Sequence, residues 1–169
     1  MSDGTRGYAQ RVDIGADIDL VWRALVEPAL LAQWYAPGAR IDAREGGVYH
    51  VRHGTEFERE AHIDVFRRPH RLRLIYMPLP DLPDEGTVLV EDFLLDPDPN
   101  AARAHGLGAV TVVRLMGSGV PESPAWHAAY VALRRGWERA LPRLKVLLEK
   151  PTAAPAGPAP PGRAARPSR

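Results

Sequence analysis

The segment "YVALRRGWERALPRLKVLLEK", Tyr130 to Lys150, constrains the fold more than any other part of the chain. Trp126, Tyr130, Leu133, Trp137, Leu141, Leu144 and Leu148 recur at spacings of three and four, which predicts one long helix with a single buried face. Ser123 is placed to act as its N-cap, with Pro124 as the first helical residue, where a missing N–H costs nothing. The helix tolerates two poor formers, Gly136 and Pro142. In a helix interior these cost about 1 and about 3 kcal/mol relative to alanine. Pro142 removes the bond to the Glu138 carbonyl and predicts a kink. Gly136 belongs to a second stripe, Ala129, Ala132, Gly136 and Ala140, made only of small residues. Such a stripe admits two explanations: a sheet pressed against the helix backbone, or an internal cavity that the small residues leave open.

The rest of the chain supplies a partner for this helix. "GYAQRVDIG" alternates at Tyr8, Gln10, Val12 and Ile14 and reads as a strand. "ADIDLVWRALVEPALLAQWYAPG" reads as two short helices, the first capped by Asp17 and the second opened by Pro28. Five or six strand-like runs follow: "ARIDA", "GGVYHVRH", "EFEREAHIDVF", "RLRLIYM", "TVLVEDFLL" and "AVTVVRLMG". The last two are separated by "DPDPNAARAHGLG", read as a long loop. Phe57, Ala61, Ile63 and Val65 alternate with Glu58, Glu60, His62 and Asp64, so the sheet is expected to be antiparallel with one wet face. The expected fold is α+β: a curved antiparallel sheet wrapped on a long C-terminal helix, with two short helices after the first strand.

Length and composition bound the function. A chain of 169 residues is expected to form one domain with a substantial core, placed at residues 1–150. The final "PTAAPAGPAPPGRAARPSR", 151–169, holds six Pro, six Ala and three Arg with no acid, and is read as a disordered basic tail. Taking its three charges from the formal +1 leaves −2 for residues 1–150, which argues against nucleic acid as a partner. The absence of cysteine excludes disulfides, thiolate metal sites and cysteine nucleophiles. No apolar stretch approaches a membrane span, and a cytoplasmic location is the expectation.

Several stretches together resemble the SRPBCC (START-like, helix-grip) superfamily. Within it they are similar to the group related to the C-terminal domain of activators of the heat-shock-protein-90 ATPase. The resemblance rests on "VWRALVEPALLAQWYAPG", the "GGVY" strand start, "RLRLIYM" and "GWERALPRLKVLLEK", and covers about residues 8 to 150. It implies about seven antiparallel strands gripping the terminal helix, often with an apolar cavity between them. Two features depart from the pattern: Pro142 inside the terminal helix motif, and a connection from Asp96 to Gly106 longer than a tight hairpin.

Catalytic signals are weak. His50 and His53 fall on opposite faces of one strand and do not share a metal site. His62 shares a face with Glu58, Glu60 and Asp64, the ordinary solvated side of such a sheet. Ser118 in "GSGVP" lacks the strand–elbow–helix setting of a hydrolase nucleophile, and "GLG" after His105 lacks the rest of a phosphate-binding fingerprint. The expected function is binding of a small hydrophobic or amphipathic ligand in a cavity between sheet and helix, without catalytic residues, metal or cofactor. The candidate pocket residues, chosen by strand and helix phase, are Trp34, Tyr49, Tyr76, Tyr130, Leu133, Gly136 and Trp137; Trp34 and Tyr35 stand where a cavity mouth is expected. Two alternatives are a chaperone-associated or stress-response partner with a filled core, and a cyclase-like or hydrolase-like enzyme using cavity polar groups; on any of these readings the chain is expected to be a monomer or homodimer.

Overall fold

The computed structural model describes residues 4–55 and 57–151, so the expected tail from 152 onward lies outside the described residues. Alternating side chains build seven strands: β1 (Thr5–Ile14), β2 (Gly38–Ile41), β3 (Val48–His53), β4 (Phe57–Arg67), β5 (Arg71–Tyr76), β6 (Val90–Pro97) and β7 (Thr111–Pro121). They form one antiparallel sheet in the order β1-β7-β6-β5-β4-β3-β2. Helices α1 (Ile18–Val26) and α2 (Pro28–Leu31) carry the chain from one edge strand to the other. The Asp17 carboxylate accepts from the Asp19 N–H at 2.9 Å and starts α1, while Pro28 opens α2.

The two faces of the sheet differ as the alternation requires. The outer face is polar and laced with ion pairs such as Arg71–Asp92 and Arg114–Asp96. The inner face presents Tyr8, Tyr49, Val51, Ile63, Leu72, Leu74, Phe93, Leu95 and Leu115, all buried. Across it lies the terminal helix α4 (His127–Leu148), which continues through Pro142 and buries Trp137, Ala140, Leu141 and Leu144. Its ends are tied to β1: the Tyr130 hydroxyl donates to the Gly7 carbonyl at 3.2 Å, and Lys145 Nζ to the Asp13 carbonyl at 2.5 Å.

Two boundaries differ from the sequence reading. Ser123 does not cap α4: its hydroxyl donates to Glu85 at 2.6 Å, and a 3₁₀ turn over Pro124–Trp126 precedes the helix. The connection after β6, read as a loop, contains a further helix, α3 (Pro99–His105). Asp98 accepts from the Ala101 N–H at 2.9 Å, Pro99 fills the first turn, and Gly106 closes the helix in the left-handed conformation at φ 64°. The residues taken as loop punctuation are the caps of a helix too short to show an apolar period.

One close approach decides where the tyrosine of β1 points. Tyr8 pairs with Gly117 of β7, and a Cβ on Gly117 would stand 2.1 Å from the Tyr8 ring. The glycine lets the ring lie flat over β7 and reach toward β6. Gly117→Ala is therefore expected to overpack the core and cost about 1–3 kcal/mol. At about 2–4 °C per kcal/mol for a chain of this size, thermal melting should show a drop of several degrees. An unchanged melting temperature would mean that the ring does not lie over this residue.

Candidate functional site

The inner face carries two charged side chains at positions whose neighbours along the strand are apolar. Arg59 follows Phe57 and precedes Ala61 in β4; Glu91 precedes Phe93 and Leu95 in β6. β5 separates the two strands, so the residues meet across it, above Tyr76. Arg59 is 4% exposed and Glu91 1%. Arg59 Nη1 donates to Glu91 Oε1 at 3.2 Å, and the guanidinium lies over the Tyr76 ring at 3.7 Å.

Glu91 gathers three further donors. The Tyr8 hydroxyl and Trp137 Nε1 donate to Oε1 at 2.5 and 2.7 Å, and the Tyr76 hydroxyl donates to Oε2 at 2.6 Å. Burial pushes the Glu91 carboxyl up, but the Arg59 charge and the bonds from Tyr76, Tyr8 and Trp137 outweigh it and hold the group below its ordinary value. The phenols of Tyr8, Tyr35, Tyr49 and Tyr76 are all pushed up by burial and stay neutral. A carboxylate has about four lone-pair sites; here three donors crowd Oε1 and one meets Oε2. Glu91, held ionised by these partners, thus anchors its neighbours.

Above this buried pair, a cleft of about 410 Å³ opens between α4 and the β3–β4 end of the sheet. Its apolar walls include Tyr35, Phe57, Leu79, Leu133 and Trp137, and its helical side is the small stripe Ala129, Ala132, Gly136 and Ala140. Tyr35 stacks on Trp137 with centroids 4.6 Å apart, and Phe57 meets Tyr35 edge-on at 6.2 Å. Trp137 is also edge-on to Phe93 at 5.4 Å. A Cβ built on Gly136 meets no atom within 4 Å, so the glycine faces open space. The polar lining consists of His53, Arg59, Arg139 and Arg143; no carboxylate lines the cleft among the described residues.

The seven candidates from the sequence therefore divide. Leu133, Gly136 and Trp137 line the cleft. Trp34 lies in the core beneath it, its Nε1 donating to the Ala24 carbonyl at 3.0 Å, and the adjacent Tyr35 forms the wall instead. Tyr49 is buried with its hydroxyl on the Leu25 carbonyl at 2.8 Å. Tyr76 belongs to the Glu91 cluster below the floor, and Tyr130 turns toward β1, where Arg6 lies over its ring at 4.2 Å. Arg59 and Glu91 were missed; the signal was a charge at a core-phase position in each of two strands. On the wet face His62 is exposed and His50 Nε2 lies 2.7 Å from Glu58 Oε1. No group of three or more His, Asp or Glu able to hold a metal ion occurs among the described residues. No helix among them is long and apolar enough to cross a membrane.

Comparison with known proteins agrees with this architecture. The structure is similar to the MLL2253 protein of Mesorhizobium loti, with TM-score 0.71, 20% identity, and coverage of 88% of this chain and 100% of that one. It is similar to the Aha1 dimer of Colwellia psychrerythraea at TM-score 0.68 and 18% identity, covering 88% and 99%. CalU16 of Micromonospora echinospora matches at TM-score 0.63 and 20% identity, covering 86% and 78%. No curated protein matches the sequence. The family model described as "Activator of Hsp90 ATPase homolog 1-like protein" matches residues 15–149, which take in β2 to β7 and the whole terminal helix, and the chain belongs to that family.

Proposed function

We propose that the protein holds a small hydrophobic or amphipathic ligand in the cleft between its sheet and α4. The observation that carries this reading is the open space in front of Gly136. The helix presents four small residues to a solvent-open cleft of about 410 Å³, within the size range of ligand sites. Its lining is mostly apolar and aromatic with a few polar groups, the usual composition of a small-molecule pocket. The Glu91 carboxyl, buried, engaged by four donors and held below its ordinary value, supports binding over acid–base catalysis.

The test is to fill the space. Gly136→Leu should leave the protein folded, with a melting temperature at or above that of the wild type, because leucine is the better helix former by up to about 1 kcal/mol. The same variant should abolish fluorescence enhancement of 1-aminoanthracene, a neutral polycyclic reporter that wild type is expected to bind. A destabilised variant together with no reporter binding by the wild type would remove the cleft from consideration. The family description supports a second reading, a chaperone-associated partner, for which stimulation of an Hsp90 ATPase is the direct assay.

A further inference from the structure

We propose that the ligand of this cleft is an apolar molecule ending in a carboxylate, and that Arg59 receives the carboxylate. This deepens the ligand-binding reading and rests on it. Arg59 is nine-tenths or more buried and lines the cleft, and its Nε finds no hydrogen-bond partner among the described residues. A buried guanidinium N–H left unpaired is costly, and such groups are normally satisfied. Glu91 reaches only Nη1, through the Oε1 that Tyr8 and Trp137 also occupy, and its Oε2 is bonded to Tyr76, so neither oxygen is a partner of Nε. The missing partner is an acceptor; Nε itself is closed to solvent, so one coming from the cleft that Arg59 lines reaches it as the guanidinium shifts toward the opening.

The charge of the lining selects among acceptors. Three arginines and a histidine line the cleft, and among the described residues no aspartate or glutamate does. Arg139 and Arg143, one turn apart on α4, are exposed, and neither has a carboxylate within 4.0 Å among the described residues. An anion entering here meets positive charge on the rim before it reaches Arg59, whereas a cation is repelled at that rim. A carboxylate suits the floor because its planar group matches a guanidinium edge and it brings a single negative charge to a single free donor region. The apolar body then lies along Trp137, Tyr35 and the small stripe of α4.

A charge series on the folded wild type tests this at pH 7.5, with decanoate, 1-decanol and decylammonium competing against 1-aminoanthracene. Decanoate is expected to bind about tenfold or more tightly than decanol, the worth of one charge-assisted hydrogen bond, and decylammonium the least. Arg59→Met combined with Glu91→Gln removes both buried charges; circular dichroism and the melting curve establish that the double variant is folded. It should lose the preference for decanoate, so that decanoate and decanol bind within a few-fold of each other. Arg139→Gln with Arg143→Gln, on the exposed rim, should weaken decanoate by a few-fold more than decanol. Equal binding of decanoate and decanol by the wild type, or tighter binding of decylammonium, overturns the carboxylate assignment while the cleft reading stands. Failure of the neutral reporter to bind at all overturns both.

Discussion

Glu91→Gln is expected to cost about 3–5 kcal/mol, the usual consequence of leaving the other half of a buried ion pair without its counter-charge. The substitution keeps the shape of the side chain and an oxygen for Tyr8 and Trp137, so the loss reports mainly on the uncompensated Arg59 charge. For a domain whose total stability is about 5–15 kcal/mol this is a large share. Urea denaturation at neutral pH measures it, and a loss below about 1 kcal/mol would show that the pair is solvated. A second substitution gives the effect a sign. Arg59→Met should destabilise the wild type, where it strands the Glu91 carboxylate, and stabilise the Glu91→Gln background, where it removes the stranded cation. The pH dependence follows from the depressed carboxyl. A group whose folded-state value lies below its unfolded one contributes fully above the ordinary carboxylate range, and the contribution fades as pH falls through the folded-state value. The stability gap between wild type and Glu91→Gln should accordingly be constant near neutrality and narrow in acid.

Trp137→Ala should be of similar size, about 3–5 kcal/mol for loss of a large buried aromatic. The indole is stacked on Tyr35, edge-on to Phe93 and bonded through Nε1 to Glu91 at 2.7 Å. Trp137→Phe separates these terms: it keeps an aromatic surface and loses the N–H, and about 1–3 kcal/mol is expected. Because Trp137 lines the cleft, the alanine variant should also alter 1-aminoanthracene binding even under conditions where it remains folded. A cost for Trp137→Ala below about 1 kcal/mol would place the ring in solvent and contradict its position between α4 and the sheet.

The two variants touch residues that differ in how they were read. Trp137 was visible from helical phase because its apolar neighbours recur every three or four residues along α4. Strand alternation likewise located six of the seven strands closely, and β2 as a short run. Arg59 and Glu91 escaped for a physical reason: alternation was scored by its apolar members, and a charge among them reads as an interruption. Only the sheet order, which lays β4 and β6 on either side of β5, brings two interruptions 32 residues apart within 3.2 Å. α3 was missed because seven residues give too few turns for a period to appear. Trp34, Tyr49, Tyr76 and Tyr130 show the limit of phase as a guide to a pocket. Phase says that a side chain points inward, whereas the position along the strand or helix decides whether it meets the cleft or the packed core beside it.

An open seven-stranded sheet ends in two exposed margins, each a template on which another chain can lay a strand. Here the two margins are guarded by different means. At one, β2 is only four residues long and carries Arg40, so a visiting strand finds few groups to pair with and a charge among them. At the other, the ten-residue β1 is held by the helix opposite: Tyr130 donates to the Gly7 carbonyl and Lys145 to that of Asp13, occupying acceptors on the strand. The side chains that seat α4 on the sheet therefore also help to keep neighbouring copies from joining edge to edge. Loosening the helix at either contact would leave the longer margin available for aggregation.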